Sequence, residues 1–164
     1  LSYGVLNLCH RDSHEHPEPL EPGKAYTKRP CAFGIAVNDA GQIACVKITR
    51  PSYVRWDLPG GMQESGETIK RALIREYAEE TGMKIKVGGL IARTRQYLIK
   101  PDGDRRLNRS SYFAVEIRKK APGGKVEDDH ELVWLDPLEA QRRFRDDAAA
   151  WAVAAWLRAG TPKD

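Results

Sequence analysis

The sequence lacks any apolar run long enough to span a membrane, and it contains only three cysteines. A membrane-spanning helix needs about 20 apolar residues in succession, and no basic, apolar and small-residue segments combine into a signal peptide. An odd number of cysteines without metal-ligand spacing argues against a zinc site and against a complete disulfide framework. We therefore expect a cytoplasmic protein without a membrane partner, in which Cys31 and Cys45 are buried free thiols.

Size and charge narrow the remaining classes. The chain of 164 residues is long enough for one domain with a real core and too short for two. Its hydrophobic content of 41% and charged content of 30% are typical of a globular protein. The net charge of +4 suits a polyanionic substrate such as a nucleotide, but it does not by itself indicate DNA or RNA binding.

The first 30 residues differ in composition from the rest. From His10 to Gly23 the chain is rich in charge, histidine and proline, which resists regular structure. The histidines stand near Cys9, but their spacing defines no coordination geometry, so we interpret them as part of a solvated tail. We expect an irregular N-terminal extension over residues 1–30 and the main domain over residues 31–164.

Apolar alternation and clusters of turn residues predict strands interspersed with helices. A turn at residues 38–41 would join the first two strands as a hairpin, and a turn at residues 100–104 would begin the loop between two later strands. This order of elements indicates an α/β fold, with a mixed β-sheet flanked by helices. The predicted strands are residues 31–37, 43–48, 53–58, 86–98, 110–118 and 132–135, and the predicted helices are residues 68–81, one that follows the N-cap Asp136, and residues 147–157.

The carboxylates of the helix at residues 68–81 break the rules for a helix that is merely stable. Glu76 and Glu80 are like charges four residues apart, and Glu79 and Glu80 stand in the last turn, where the helix dipole favours cations. At about 100° per residue the three share one arc. Such a cluster indicates a functional site, and its simplest partner is a hard divalent cation, Mg²⁺ or Mn²⁺. The neighbouring arc, which would face the core, carries Leu73, Ile74, Tyr77 and Ala78, and Gly82 would cap the helix.

The segment Gly61–Met83 resembles the Nudix box, the signature of hydrolases that cleave nucleoside diphosphates linked to another group. Every fixed polar and glycine position of that 23-residue pattern is present, and one position departs from it, because Tyr77 stands where the family has an aliphatic residue. An acidic surface helix capped by glycines is the alternative, but it does not account for so many matches. The matching residues are Gly61, Glu67, Arg75, Glu76, Glu79, Glu80, Gly82 and Met83, with the lead-in Leu58, Pro59 and Gly60.

The resemblance implies an α/β/α sandwich with a mixed β-sheet and a Nudix hydrolase domain over residues 31–164. It implies metal-dependent hydrolysis, by activated water, of a pyrophosphate bond in a nucleoside diphosphate-X or nucleoside triphosphate-type substrate. Arg75 and Glu67 would brace the loop against the helix, and Glu64 is a candidate outer ligand. The metal ligands implied are Glu76, Glu79 and Glu80, with the carbonyl group of Gly60.

The general base is not decided by the resemblance, because the family takes it either from the box or from a distant loop. Glu76 is the box candidate. Glu127 and Glu131 are the loop candidates, and a solvated acidic turn is the alternative interpretation of that loop.

Basic residues outside the box are candidates for substrate phosphates. Arg55 precedes the box, and Arg105 and Arg109 belong to a predicted basic loop between two strands. Arginine offers planar bidentate donors to phosphate, but a solvated hairpin tip would have the same composition.

Two other functions remain open. Removal of the 5′ pyrophosphate from RNA would make an RNA 5′ end the one nucleic-acid substrate, and a non-catalytic nucleotide sensor would keep the fold without the chemistry. The expected partner is a nucleotide-type small molecule, and the oligomeric state stays open between a monomer and a homodimer.

Overall fold

The computed structural model describes residues 5–7, 15–16 and 18–160, which form nine strands and three helices. No helix in these ranges is long and apolar enough to cross a membrane. In chain order the elements are β1 (Val5–Asn7), β2 (Glu15–His16), β3 (Thr27–Ile35), β4 (Ile43–Arg50), β5 (Tyr53–Asp57), β6 (Gly60–Met62), α1 (Ile69–Thr81), β7 (Met83–Ile99), β8 (Arg105–Lys120), β9 (His130–Leu135), α2 (Pro137–Arg143) and α3 (Asp147–Ala159).

The strands form two sheets. The larger has the order β1-β7-β8-β3-β6, with β2 also paired to β7, and the smaller is an antiparallel sheet of order β5-β4-β9. In the larger sheet β3 runs parallel to β8, and β1 parallel to β7, while β7 and β8 are antiparallel. The predicted mixed sheet is therefore confirmed.

Two clusters of buried side chains separate the layers. One packs helices α2 and α3 against the sheets and includes Tyr112, Val153 and Trp156. The other packs α1 against the opposite side and includes Leu73 and Tyr77. Helices therefore cover both faces of the sheets, as the predicted α/β/α sandwich requires.

Helix α1 begins and ends as its sequence predicts. The Thr68 hydroxyl accepts a hydrogen bond from the Arg71 N–H, and Gly82 ends the helix with a φ of 73°. The prediction that Ile74 faces the core is wrong, because its side chain is 42% exposed. The buried arc instead contains Ala72, Leu73, Tyr77, Glu80 and Thr81.

The predicted hairpin between residues 31–37 and 43–48 is correct only at its turn. The Asn38 side chain accepts hydrogen bonds from the N–H groups of Ala40 and Gln42, and Val37 pairs with Ile43. Beyond that bridge the strands separate, and β3 enters the larger sheet while β4 becomes the middle strand of the smaller one. Strand β3 pairs with β8, and β4 pairs with β5 and with the distant β9, and the turn signal at residues 38–41 reports none of these pairings.

The predicted basic loop is also wrong, because Arg105, Arg106 and Arg109 lie within β8. The connection is short: the Lys100 N–H donates to the Asp104 carbonyl group at 2.9 Å and closes the turn. Strands β7 and β8 pair along their whole length, from Ile99 opposite Arg105 beside the turn to Met83 opposite Lys120 at the far end. The residues next to the turn are therefore part of the sheet.

The N-terminal residues partly join the larger sheet. Strands β1 and β2 pair with β7, and the next long strand, β3, begins at Thr27. His10, His14 and Cys9 lie outside the described residues, and the extension over residues 1–30 stays a prediction. The two described cysteines, Cys31 and Cys45, are free and buried, which confirms their predicted state.

Candidate active site

The two glycines of β6 let this strand lie directly against β3 and α1. Gly60 has a φ of 143°, and a Cβ atom there would lie 2.1 Å from the Ala32 carbonyl oxygen, so no other residue fits. A Cβ atom on Gly61 would lie 2.6 Å from the carboxyl carbon of Glu76. The Gly60 N–H donates to Oε2 of Glu80 at 2.9 Å. Two box carboxylates are therefore seated on the glycine backbone.

Arg75 connects the loop before α1 to the carboxylates of the helix. Its Nη2 lies 2.7 Å from Oε1 of Glu67 and 3.0 Å from the Met62 carbonyl oxygen. Its Nη1 donates to Oε1 of Glu76 at 2.9 Å and to Oε2 of Glu79 at 3.2 Å. It thus engages one oxygen each of Glu76 and Glu79, and a carboxylate offers two. This is the geometry that a brace between loop and helix requires.

The loop before β9 closes over the end of α1. The N–H groups of Val126 and Glu127 donate to the Glu79 carbonyl oxygen at 2.9 and 3.1 Å. These bonds satisfy a carbonyl group at the helix end. They also bring the Glu127 carboxylate to Glu76 and Glu79, and ligand atoms of the three lie within 4.8 Å of one another.

His130 was not predicted as a site residue, yet both nitrogens of its ring lie against carboxylates. Nε2 is 3.4 Å from Oε1 of Glu80, and Nδ1 is 2.9 Å from both Oε2 of Glu127 and Oδ1 of Asp129. The ring is buried at the first position of β9, and the next residue, Glu131, is exposed. Extending the strand alternation two residues back from Leu132 would have pointed to it.

Burial and hydrogen bonding shift the pKa values of these carboxyl groups in opposite directions. Burial raises the pKa of Glu80 well above its usual range, and it also raises the pKa of Glu76 against the lowering effect of Arg75. Hydrogen bonds from Arg75 lower the pKa of Glu67. Crowded, desolvated carboxylates beside a braced arginine are arranged to receive a positive charge.

The donor set fits a hard divalent cation. Glu76, Glu79 and Glu127 form a group that could hold such a cation. Glu80 is adjacent to this group: it accepts a hydrogen bond from the Gly60 N–H and contacts the ring of His130. All these side-chain donors are carboxylate oxygens, which suit Mg²⁺ or Mn²⁺ and not softer metals.

A cavity of about 600 Å³ opens beside Glu80, Gly60 and Gly61. Arg55, predicted to contact substrate, lines it. Alternate residues of β8 do so as well, namely Arg106 and Asn108. Arg105 and Arg109 are not among the lining residues, since Arg105 pairs with Glu21 and Arg109 is exposed. The other lining residues include Arg29, Cys31, Phe33, Ile48, Leu98, Ile99, Lys100 and Arg145.

Two acidic residues, Asp57 and Asp146, also line this cavity. Asp57 is 3.6 Å from Arg55, and burial raises its pKa to about 6. Asp146 caps α3 by accepting from the Ala148 N–H at 2.8 Å, and its Oδ1 also accepts from Gln96 at 2.9 Å. Trp56, which stands between Arg55 and Asp57 in the chain, packs against the core.

A family model described as the NUDIX domain matches residues 27–157, which is most of the chain. The chain belongs to the Nudix family. A second model, described as the X-Pro dipeptidyl-peptidase C-terminal non-catalytic domain, matches only residues 1–38 and is too short to show a family.

Curated relatives share parts of this Nudix chain. A putative 8-oxo-dGTP diphosphatase of Bacillus subtilis is 47% identical over 51 residues, which are 31% of this chain and 33% of that protein. An RNA pyrophosphohydrolase of Sphingopyxis alaskensis is 35% identical over 68 residues, 42% of this chain and 43% of that protein. The matched segments thus span between a third and less than half of these two relatives.

Solved structures share the Nudix fold over most of the chain. A NUDIX hydrolase from Nitrosomonas europaea superposes with a TM-score of 0.68 and 19% identity, over 81% of this chain and 90% of that one. At that identity the likeness shows the fold alone. Tyr77, which stands where the Nudix box has an aliphatic residue, is accommodated by packing, because its ring is fully buried beside Gly34.

Proposed function

We propose that this Nudix protein hydrolyses a pyrophosphate bond in a nucleoside diphosphate-X or nucleoside triphosphate-type substrate, with a divalent cation and an activated water. One observation carries the proposal. The carboxylates of Glu76, Glu79, Glu80 and Glu127 converge beside a cavity large enough for a nucleotide.

The residues that would hold the cation are these four carboxylates and the carbonyl group of Gly60. When bound there, Mg²⁺ or Mn²⁺ would offset the negative charge of the pyrophosphate and lower the pKa of a water molecule. Arg75 and Glu67 orient the helical carboxylates, and Gly60 and Gly61 let the backbone approach the phosphates closely. The seated geometry of Glu76 and Glu80 means that little reorganisation is needed during reaction.

Glu127 is the loop residue that we assign as general base, with one of its two carboxylate oxygens facing the cation and the other accepting the proton of the reacting water. Its carboxylate lies with those of Glu76 and Glu79, whereas Glu131 is exposed on β9 and lies opposite Lys47. A general base must reach the reacting water within hydrogen-bond distance. We therefore expect Glu127→Gln to lower kcat by roughly 100-fold and Glu131→Gln to lower it far less.

The matched control is Asp128→Asn, which removes one exposed carboxylate from the same loop. It should retain the kcat of the unmodified protein. A larger loss of kcat in Glu131→Gln than in Glu127→Gln would refute the assignment.

The cavity lining indicates how a nucleotide would lie. Arg29, Arg55 and Arg106 offer positive charge to phosphate oxygens, and Phe33 with Leu98 offers apolar surface to a base. The relative named an 8-oxo-dGTP diphosphatase supports a nucleoside triphosphate as the substrate class.

A substrate screen tests this function. Nucleoside triphosphates (8-oxo-dGTP among them), nucleoside diphosphate sugars and dinucleoside polyphosphates would be incubated with Mg²⁺ or Mn²⁺ in ¹⁸O-water, and both products identified. We expect cleavage of one pyrophosphate bond, abolished by EDTA, with ¹⁸O in one product. Tight nucleotide binding without any product would instead support the non-catalytic sensor.

Removal of the 5′ pyrophosphate from RNA is the second candidate. The relative named an RNA pyrophosphohydrolase favours it. The exposed Arg109 also favours it, because this residue follows Asn108, which lines the cavity, on β8. A 5′-triphosphorylated oligonucleotide would then be cleaved faster than free GTP, with a rate that falls steeply as salt rises. Activity on free nucleotides alone would exclude it.

A further inference from the structure

His130 connects the helix that carries the Nudix box to the loop that carries Glu127. The residue is 5% exposed, and its two ring nitrogens contact carboxylates on different elements. Nε2 lies 3.4 Å from Oε1 of Glu80 on α1. Nδ1 lies 2.9 Å from Oε2 of Glu127 and 2.9 Å from Oδ1 of Asp129. One imidazole ring therefore spans both sides of the carboxylate cluster.

The chain around this ring is held firmly. His130 pairs with Ile48 in the register of β4 and β9, and its N–H donates to the Glu127 carbonyl oxygen at 3.2 Å. The ammonium group of Lys125 bonds to the His130 carbonyl oxygen. The second oxygen of Asp129 lies 2.5 Å from Nε of Arg50. Because backbone and partner are both anchored, the ring has a defined position before any ligand arrives.

Arg75 and His130 contact different members of the carboxylate cluster formed by Glu76, Glu79, Glu80 and Glu127. Within the described ranges, the ion pairs of Arg75 are with Glu64, Glu67, Glu76 and Glu79. Arg75 therefore does not hold Glu80 or Glu127, and those are the two that His130 contacts. The backbone bonds to the Glu79 carbonyl oxygen fix the loop, but they leave the Glu127 side chain free to turn away from its like-charged neighbours.

We propose that His130 is a positioning residue that sets the separation of Glu80 and Glu127, and so determines the affinity of the site for a divalent cation. The inference rests on the proposed function. Hydrogen-bond partners behind metal-binding groups hold their orientation, and their loss typically weakens metal binding 10–100-fold.

A competing role for His130 is direct ligation of a second cation with Glu127 and Asp129, whose ligand atoms lie within 4.8 Å of its own. The cations already present argue against it, because Arg50 pairs with Asp129 and Lys125 bonds to His130 itself. A further positive ion there would be repelled by both.

The test measures Mn²⁺ affinity without substrate, by electron paramagnetic resonance of the free ion, at constant pH. His130→Ala removes both ring contacts. His130→Gln places an amide N–H near the position of Nε2, and His130→Asn places one near that of Nδ1. We expect His130→Ala to bind Mn²⁺ roughly 10–100-fold more weakly and the two amide variants to recover part of the loss. The control, Asp128→Asn, should bind as the unmodified protein does.

Kinetics give a second readout. At limiting metal, kcat of the His130 variants should fall, and excess metal should restore the part of that loss that comes from weaker metal binding, with little change in the KM for nucleotide. Unchanged Mn²⁺ affinity in all three variants would overturn the proposal, and so would loss of one bound ion per chain with the remaining affinity unchanged. If His130→Ala does not fold, the Gln and Asn variants decide the matter alone.

The two proposals fail in different ways. If the unmodified protein binds Mn²⁺ but cleaves none of the nucleotides tested, the proposed function is wrong while the affinity comparison still tests His130. If it cleaves nucleotides and the His130 variants keep their Mn²⁺ affinity, only the inference on His130 fails.

Discussion

Glu80 lies in the middle of the buried arc of α1, on the same side of the helix as Ala72 and Leu73. Its side chain is only 9% exposed, and burial raises its pKa well above the usual range of a carboxyl group. A charged carboxylate in that position opposes folding unless something offsets it. In the part of the chain that the structure describes, the Gly60 N–H donates to it and the His130 ring lies against it.

Tyr77 shows how the fold absorbs an unusual box residue. The ring is fully buried, and a Cβ atom on Gly34 would lie 3.1 Å from it. Its hydroxyl group has no hydrogen-bond partner within the described part of the chain. We expect Tyr77→Phe to leave kcat unchanged and to raise the free energy of unfolding by up to about 1 kcal/mol, since it removes an unsatisfied polar group.

The matched variant is Tyr77→Leu, which restores an aliphatic residue but empties the space beside Gly34. It should lower the free energy of unfolding by about 1–3 kcal/mol. Urea denaturation of both variants checks the pair. A loss of stability in Tyr77→Phe greater than that in Tyr77→Leu would contradict this account.

Asp57 predicts a pH dependence of stability. Burial raises its pKa from 3.8 to about 6, so the folded state binds a proton that the unfolded state releases. Stability from this group is present below about pH 4 and is lost as the pH rises through about 6. With a side chain that is 24% exposed, the upper limit is roughly 3 kcal/mol.

Asp57→Asn is the variant that isolates this effect, because the amide stays neutral. The free energy of unfolding of both proteins would be measured in EDTA at about pH 4.5, 5.5 and 7. We expect the variant to gain stability relative to the unmodified protein as the pH rises. A difference between the two proteins that is constant over this range would show that Asp57 ionises normally.

At the scale of elements, the end of α1 and the loop before β9 act as one unit. Gly82 ends the helix, and its carbonyl oxygen accepts from the Ala121 N–H at 2.8 Å. A Cβ atom on Gly82 would lie 3.2 Å from the backbone nitrogen of Lys125, so any side chain there would press on the loop before β9. The placement of Glu127 therefore depends on a glycine that the sequence shows only as a helix cap.

Gly82→Ala tests this dependence, with Gly41→Ala as the control. Both glycines have positive φ, of 73° and 76°, so each substitution should cost about 1–2 kcal/mol of stability. An added Cβ atom meets nothing within 4 Å at Gly41. We expect only Gly82→Ala to lower kcat, by roughly 10-fold. Equal effects of the two substitutions on kcat would show that the loop is not coupled to the helix end.

Elements whose signals are local could be predicted, and those whose partners are distant could not. The Thr68 and Gly82 caps give the limits of α1 almost to the residue, because both act within one turn of the helix. The strands β3 and β4 carry good turn chemistry between them, but they pair with β8 and β9 instead. The choice between partners depends on which residues are buried together, and this is not encoded near the turn.

At the scale of the whole molecule, the site is assembled from both sheets. The larger sheet supplies Gly60 through β6, the smaller supplies His130 through β9, and Glu80 of α1 contacts both residues. The box carboxylates could be predicted because they share one helix. Our proposal of Glu127 over Glu131 as general base could not be made from the sequence, since it depends on how the loop docks on the end of that helix.

The most direct test of the central claim is kcat for nucleotide hydrolysis by Glu80→Gln at saturating Mg²⁺, with Glu116→Gln as the control for loss of an exposed carboxylate. We predict a fall of at least roughly 100-fold for Glu80→Gln, a similar fall for Glu76→Gln, and no fall for Glu116→Gln. Stability of Glu80→Gln in EDTA should be undiminished, because a neutral amide replaces a buried carboxyl group. Near-normal kcat in a folded Glu80→Gln protein would contradict the account.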